Sequence, residues 1–116
     1  MCHVLVIEDD WMIAEHVADI ARDAGATSID MADTQQGAVD AACRHLPAII
    51  LSDVNLLEGT GPRAVETIQE AHGPIPVIFI TGTPEACIPC DPPSVIMGKP
   101  VHAGNLTTTF RQLAPI

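Results

Sequence analysis

Residues 4–10 read VLVIEDD, a run of four aliphatic residues that ends at three acidic ones. Such a short and wholly apolar run is typical of a strand that is buried on both faces of a sheet. Two further runs, Ile49–Ser52 and Val77–Ile80, have the same character and also stop at polar residues. The repeated pattern predicts parallel strands whose carboxyl ends carry polar side chains.

Segments with helical spacing of apolar residues separate these strands. The first helix is ended by Gly25 and has its apolar stripe at Ile13, Val17, Ile20, Ala21 and Ala24. A short second strand, Ser28–Ala32, precedes a helix that Pro47 closes, with its stripe at Val39, Ala42, Cys43 and Leu46. A third helix starts at Thr60-Gly61-Pro62 and is expected to bury Ala64, Ile68 and Ala71. Cys43 is expected in the core.

The end of the chain completes the alternation. Four prolines between Gly82 and Pro93 forbid a long helix there, so the fourth crossover helix is expected to be short or absent. Ser94–Met97 predicts a fifth strand, and the spacing of Leu106, Phe110 and Leu113 predicts a last helix. We therefore expect an α/β fold, a doubly wound five-stranded parallel sheet, in a single domain of residues 1–116.

The composition excludes several classes of partner. Hydrophobic residues make up 47% and aromatic residues 3%, which favours an aliphatic core between helices and a sheet. A net charge of −10 is the wrong sign for direct binding to nucleic acid or to anionic lipid. There is no long apolar segment for membrane insertion, and the four cysteines lack a dense disulfide framework. We expect a cytoplasmic protein with reduced thiols.

Four residues that follow different strands should meet at one edge of this sheet: Asp9, Asp53, Thr81 and Lys99. Gathered carboxylates repel one another unless a cation compensates them, and an oxygen-rich site with few protein ligands suits Mg²⁺. A carboxylate is also a possible nucleophile towards phosphorus, with metal, ammonium and hydroxyl groups neutralising charge. The set points to phosphoryl transfer to an aspartate.

At this point the chain resembles a known family. Val4–Asp10, Ile49–Leu56, Pro76–Gly82 and Gly98–Pro100 are similar to the four signature blocks of response-regulator receiver domains, in the same order. The resemblance covers essentially the whole chain. It implies a flavodoxin-like (βα)5 receiver of strand order 2-1-3-4-5, here without an output domain.

The resemblance also implies roles for named residues. Asp53 would be the phosphoacceptor. The Mg²⁺ ligands would be Asp9, Asp53, the main-chain carbonyl of Asn55 and, through water, Glu8. The phosphoryl group would be bound by Thr81, Gly82, Lys99 and Asn55, with Lys99 paired to the Asp53 carboxylate beforehand. Lys99–Pro100 would be a cis peptide, as in relatives.

Two features depart from the family pattern. Receivers commonly carry Tyr or Phe three residues before the lysine, whereas Ile96 stands at that position and the chain has no Tyr. The spacing from Thr81 to Lys99 is also shorter than in most receivers. Some single-domain receivers of alphaproteobacteria are similar in both respects. We expect the signal to leave Asp53 through the segment after Thr81.

The implied function is that of a single-domain response regulator in a two-component phosphorelay, and not of an enzyme. Its phosphodonor would be a histidine kinase or a histidine phosphotransfer protein, and its output an unknown downstream protein. Two alternatives remain open: a receiver-like scaffold that works without phosphorylation, and a receiver excised from a longer DNA-binding regulator or hybrid kinase.

Some cysteines and histidines invite a separate metal hypothesis. Cys87 and Cys90 have the spacing of half a zinc site or of a redox pair. Cys2-His3 and Cys43-Arg44-His45 add further candidate ligands. One Cys-X-X-Cys motif without a matching second motif is weak evidence for a zinc or redox site. Ordinary structural roles are therefore favoured for these cysteines and histidines. His16, His72 and His102 are expected on the surface.

Overall fold

Five strands and four helices alternate along residues 2–82 and 95–115, the parts of the chain that the computed structural model describes. The strands are β1 (His3–Ile7), β2 (Ser28–Ala32), β3 (Ile49–Ser52), β4 (Val77–Thr81) and β5 (Val95–Gly98). The helices are α1 (Trp11–Ala24), α2 (Gln35–Arg44), α3 (Gly61–His72) and α4 (Ala103–Leu113). The alternation read from the sequence is confirmed.

All strands run parallel in one sheet of order β2-β1-β3-β4-β5, which confirms the expected 2-1-3-4-5 topology. In this register, the last residues of neighbouring strands lie side by side. Ile7 pairs with Ser52, and Thr81 pairs with Gly98. The residues that follow these pairs therefore emerge at one edge of the sheet, where ligands of doubly wound sheets bind.

The apolar core lies on both faces of the sheet. Alternate residues of each strand point to opposite faces, so β1 contributes Val4 and Val6 to one side, and Leu5 and Ile7 to the other. The first side is covered by α1 and α4, and Phe110 is completely buried there. The second is covered by α2 and α3, whose small alanines allow close packing on the sheet.

Side chains fix where the helices begin and end. The Asp10 carboxylate caps α1 by accepting hydrogen bonds from the backbone N–H groups of Met12 and Ile13. Gly25 ends α1 at a φ of 127°, a conformation that favours glycine. The Thr60 hydroxyl caps α3 at Arg63. Asp10 is thus the member of the acidic run that has a capping role.

Three predicted core positions are wrong. Cys43 is exposed because α2 packs through Ala38, Ala41 and Ala42, and the next residue turns towards solvent. Leu46 is exposed because α2 ends at Arg44. Ala71 lies exposed in the last turn of α3, because this helix packs on the sheet through Ala64, Val65 and Ile68 in its earlier turns. The segment in which a short or absent fourth helix was predicted, and Ser94 of the predicted fifth strand, lie outside the described residues.

Lys99–Pro100 is a cis peptide, as expected from the resemblance. Among residues 2–82 and 95–115, no helix has both the length and the apolar character that a membrane span requires.

Candidate functional site

Most buried polar side chains of the described residues gather at the carboxyl edge of the sheet. These are Glu8, Ser52, Asp53 and Thr81, each at or directly after the end of a strand. Burying polar groups is costly unless they are hydrogen-bonded or paired. Their concentration at one edge therefore marks this place as the candidate site.

Three carboxylates converge there. Oxygen atoms of Glu8, Asp9 and Asp53 all lie within 4.8 Å of one another. Glu8 and Asp9 follow β1, and Asp53 follows β3, which is paired directly with β1. The convergence follows from the sheet register. The structure thus brings together the three acidic residues that the sequence placed around a cation.

Lys99 supplies the positive charge of the cluster. Its Nζ donates to Glu8 Oε1 at 3.0 Å and lies 3.3 Å from Asp53 Oδ2. The expected pairing with Asp53 is present, and the shorter contact is to Glu8, for which the sequence predicted a role through water. One ammonium against three carboxylates leaves an excess negative charge of two when all are ionised.

The backbone holds Asp53 firmly in place. Its N–H donates to the carbonyl of Ile7 at 2.7 Å, and its Oδ1 accepts from the N–H of Val54 at 2.7 Å. The Ser52 hydroxyl donates to the carbonyl of Asp53, also at 2.7 Å. These bonds leave Oδ2 on the side of Lys99. The side chain is therefore oriented before any ligand arrives.

The remaining predicted site residues lie at the same edge. Thr81 is buried at the end of β4, and its carbonyl accepts from the N–H of Lys99 at 2.9 Å. Gly82 follows it and is exposed. Asn55 is exposed in the loop after β3, where it forms an isolated bridge with Thr60. Thr81 and Lys99 are therefore fixed next to each other by backbone pairing.

The electrostatics of the cluster shift two pKa values. Burial, together with the neighbouring Asp53 carboxylate, raises the pKa of Glu8 to about 7, although Lys99 opposes the shift. Burial tends to lower the pKa of Lys99, but the carboxylates of Glu8 and Asp53 outweigh it and raise that pKa. Below about pH 7, the metal-free site thus favours a proton on Glu8.

We expect the free energy of unfolding of the metal-free protein to fall as the pH rises from 4.5 to about 7, the range over which the folded state retains the Glu8 proton. A raised carboxyl pKa contributes stability below the unfolded pKa, and this contribution is lost as the pH passes the folded pKa. Glu8→Gln should remove this part of the fall and stabilise the protein above neutral pH by roughly 1–3 kcal/mol. Urea unfolding in EDTA, followed by circular dichroism across this pH range, measures the effect.

Glu70→Gln is the matched control, since Glu70 is exposed on α3. It should leave the pH profile as in the wild type. A Glu8→Gln profile that falls with pH as steeply as the wild type would contradict the assignment.

Sequence reasoning missed two contributors to the site. One is the hydroxyl of Ser52, which could only be placed once the path of the chain after β3 was known. The other is Gly61, where a Cβ atom would collide with the Asp53 carbonyl oxygen and the Ser52 hydroxyl. The sequence signal for Gly61 was its place beside Pro62 at a helix start, which indicates a helix and not a close contact.

The fold and this cluster define a class of protein. A family model described as the response regulator receiver domain matches residues 4–88, and the chain belongs to that family. The family identified from four sequence blocks is therefore confirmed.

The chain is similar to particular members. The phyllosphere-induced regulator PhyR of Methylorubrum extorquens is 31% identical over 113 residues, which are 94% of this chain and 42% of that protein. The receiver domain of PhyR from Erythrobacter litoralis, solved by NMR, is 32% identical with a TM-score of 0.84, covering 97% of this chain and 88% of that one. A mutant of the anti-anti-sigma factor PhyR from Bartonella quintana is 29% identical with a TM-score of 0.83, covering 97% and 48%. The chain thus spans less than half the length of its curated PhyR relative.

Proposed function

We propose that this receiver is a phosphorylation switch in a two-component phosphorelay, with Asp53 as the phosphoacceptor. The observation that carries the proposal is the geometry around Asp53. Its carboxylate lies with those of Glu8 and Asp9 within 4.8 Å, and its Oδ2 lies 3.3 Å from Lys99 Nζ. A structural role alone leaves this concentration of buried charge without a purpose.

The proposed step is transfer of a phosphoryl group from a phosphohistidine. An oxygen of the Asp53 carboxylate attacks phosphorus, an O–P bond forms, and the P–N bond to the donor imidazole breaks. The electron pair of that bond stays on the imidazole nitrogen, which takes up a proton. In this proposal, Lys99 and Thr81 stabilise the charge on the phosphoryl oxygens, together with the N–H of Gly82.

The donor set fits Mg²⁺. Hard carboxylate oxygens are the ligands that this ion prefers, and its charge equals the excess negative charge of the ionised cluster. Asp9, Asp53 and the main-chain carbonyl of Asn55 would hold it directly, and Glu8 through water. When bound, the ion supplies neutralisation of charge on the phosphoryl group.

Exposed apolar side chains beside the site favour a protein as the partner. Trp11 and Met12 are 68% and 80% exposed at the start of α1. Met12 also lines a largely apolar groove, together with Ile13, His16, Lys99, Pro100 and Val101. A contiguous apolar surface of this kind is typical of a protein interaction site. We infer that a histidine kinase or histidine phosphotransfer protein docks here.

The proposed output is a change in affinity for a downstream protein in the cytoplasm. The related protein of Bartonella quintana is described as an anti-anti-sigma factor, which supports an output through protein binding. We also propose that this chain is a phosphoacceptor that assists its own phosphorylation and dephosphorylation, and not an enzyme that acts on other substrates.

The proposal predicts that phosphorylation depends on Mg²⁺. Incubation with acetyl phosphate and Mg²⁺ should add one phosphoryl group, and EDTA should abolish the addition because the carboxylate cluster then repels the anionic donor. Intact-mass spectrometry measures the product. Equal phosphorylation with and without the ion would contradict the metal assignment, and no phosphorylation under any condition would overturn the proposed function.

A second candidate function is a scaffold that binds its partner independently of phosphorylation. Ile96 favours it, because an aliphatic side chain, 40% exposed, stands where receivers commonly carry the aromatic residue that reports phosphorylation. A pull-down with beryllofluoride, which mimics the phosphoryl group, separates the two. A changed set of partners supports the switch, and an unchanged set supports the scaffold.

A further inference from the structure

One buried polar side chain of the described residues lies away from the phosphorylation site. His3 begins β1 at the amino edge of the sheet and is 7% exposed. Its Nδ1 lies 2.7 Å from the Ser28 hydroxyl, and its Nε2 lies 3.1 Å from Asp30 Oδ2. Both nitrogen atoms of a buried imidazole thus have polar partners, an arrangement that the phosphoacceptor chemistry does not use.

The register of the sheet explains these contacts. β1 and β2 run parallel with His3 opposite Ser28 and Leu5 opposite Asp30. Residues two apart on a strand share a face, so Ser28 and Asp30 flank the His3 ring from one side of the sheet. The pairing of β1 with β2 therefore determines that Ser28 and Asp30 lie near His3.

A second histidine completes the cluster from another element. His45 directly follows α2 as its C-cap residue, and its ring stacks on that of His3 with centroids 3.5 Å apart and an interplanar angle of 8°. Ligand atoms of His3, Asp30 and His45 all lie within 4.8 Å of one another. Two imidazoles and one carboxylate, from β1, β2 and the end of α2, thus lie close together.

We propose that His3, Asp30 and His45 bind a divalent transition-metal ion of the Zn²⁺ class at the amino edge of the sheet. Imidazole nitrogen and carboxylate oxygen are ligands of such ions, whereas Mg²⁺ prefers oxygen ligands alone. The site is therefore chemically distinct from the acidic cluster at the opposite edge. Three protein ligands leave a fourth position for water.

The geometry of the buried pair suits such an ion. Two ligand atoms at about 2.0–2.1 Å from Zn²⁺ and at a tetrahedral angle are about 3.3 Å apart, and His3 Nε2 and Asp30 Oδ2 are separated by 3.1 Å. In the bound form, His3 Nδ1–H donates to the Ser28 oxygen and leaves the Nε2 lone pair for the ion. Such an outer hydrogen bond fixes the tautomer of metal-bound histidine.

His45 must turn to complete the site. The lone pairs of an imidazole lie in the plane of its ring, so two rings stacked in parallel cannot both direct a lone pair at the same ion. His45 is exposed and lies beyond the last turn of α2, so its ring can rotate about the side-chain bonds. Binding thus exchanges a ring stack for a coordination bond.

The test measures Zn²⁺ binding to the untagged full chain in a saturating concentration of Mg²⁺, so that Mg²⁺ competes for the acidic cluster. Cys43, Cys87 and Cys90 are replaced by Ser in every sample, because thiolates compete for the ion. We expect isothermal titration calorimetry to give one site with a micromolar or tighter Kd. His45→Ala and Asp30→Asn should each weaken binding by roughly tenfold to a hundredfold or more, since the first removes a ligand and the second replaces a carboxylate by a neutral, weaker amide oxygen.

His72→Ala is the matched control, since His72 is an exposed histidine at the end of α3, and it should leave the affinity unchanged. Zn²⁺ should also raise the Tm of the parent protein but not that of His45→Ala. Absent binding, or binding equally tight in His45→Ala or Asp30→Asn, would overturn the proposal. Neither result bears on phosphorylation of Asp53, which remains measurable by mass in the same samples.

Discussion

Asp53→Asn should abolish phosphorylation completely. The substitution preserves the shape of the side chain, and the amide oxygen can still accept the hydrogen bond from the N–H of Val54. It removes the anionic oxygen that would attack phosphorus, and no other described carboxylate has both Lys99 and the Val54 N–H as partners. Intact-mass spectrometry after treatment with acetyl phosphate and Mg²⁺ should therefore find the wild-type adduct and none in the variant.

Asp33→Asn is the control for this experiment. Asp33 is an exposed aspartate in the loop after β2, at the same edge of the sheet, and its variant should be phosphorylated as the wild type is. Circular dichroism should show that Asp53→Asn is folded, since the substitution relieves repulsion among the carboxylates. An adduct that persists in Asp53→Asn would place the phosphoacceptor elsewhere.

Gly61→Ala should have the largest effect on stability. Gly61 begins α3, and its N–H donates to the carbonyl of Val54 at 2.9 Å. An added Cβ would collide with the Asp53 carbonyl oxygen and the Ser52 hydroxyl, so the start of α3 must move away from β3. We expect the free energy of unfolding to fall by roughly 2–4 kcal/mol, measured by urea unfolding with circular dichroism.

Gly104→Ala is a matched change in a helix. A Cβ atom there meets nothing within 4 Å, so the free energy of unfolding should stay unchanged or rise by up to about 1 kcal/mol. Equal stability of the two alanine variants would show that the contact at Gly61 is not restrictive. Because Gly61 packs against the backbone of Asp53, phosphorylation of Gly61→Ala should be slower as well.

The fold was largely predictable from the sequence because aliphatic runs alternate with segments of helical apolar spacing along most of the chain. The meeting of Asp9, Asp53 and Lys99 was also predictable, since the carboxyl ends of parallel strands share one edge. The shorter contact of Lys99 with Glu8 could not be predicted, because it depends on the conformation of the long lysine side chain. That conformation depends on the path of the backbone directly after β5.

Other features depend on three-dimensional detail that a pattern does not contain. Cys43 is exposed because α2 packs on the sheet through Ala38, Ala41 and Ala42. The helical spacing of its apolar residues is also compatible with burial of the adjacent face of the helix, which includes Cys43. The proximity of His3 and His45 depends on where the chain leaves α2 to enter β3. The contact of Gly61 with Asp53 depends on the path of a loop, which residue types constrain only weakly.

The exposure of Trp11 has a consequence for spectroscopy. It is the only tryptophan, the chain has no tyrosine, and Phe79 and Phe110 are the only other aromatic residues of the FWY class. Because the indole is already in contact with water in the folded state, unfolding changes its surroundings little. It stands two residues after Asp9, so we expect its emission to respond to events at the acidic edge more than to the folding of the core. Tryptophan fluorescence should then follow ion binding at the acidic edge separately from unfolding, which circular dichroism follows.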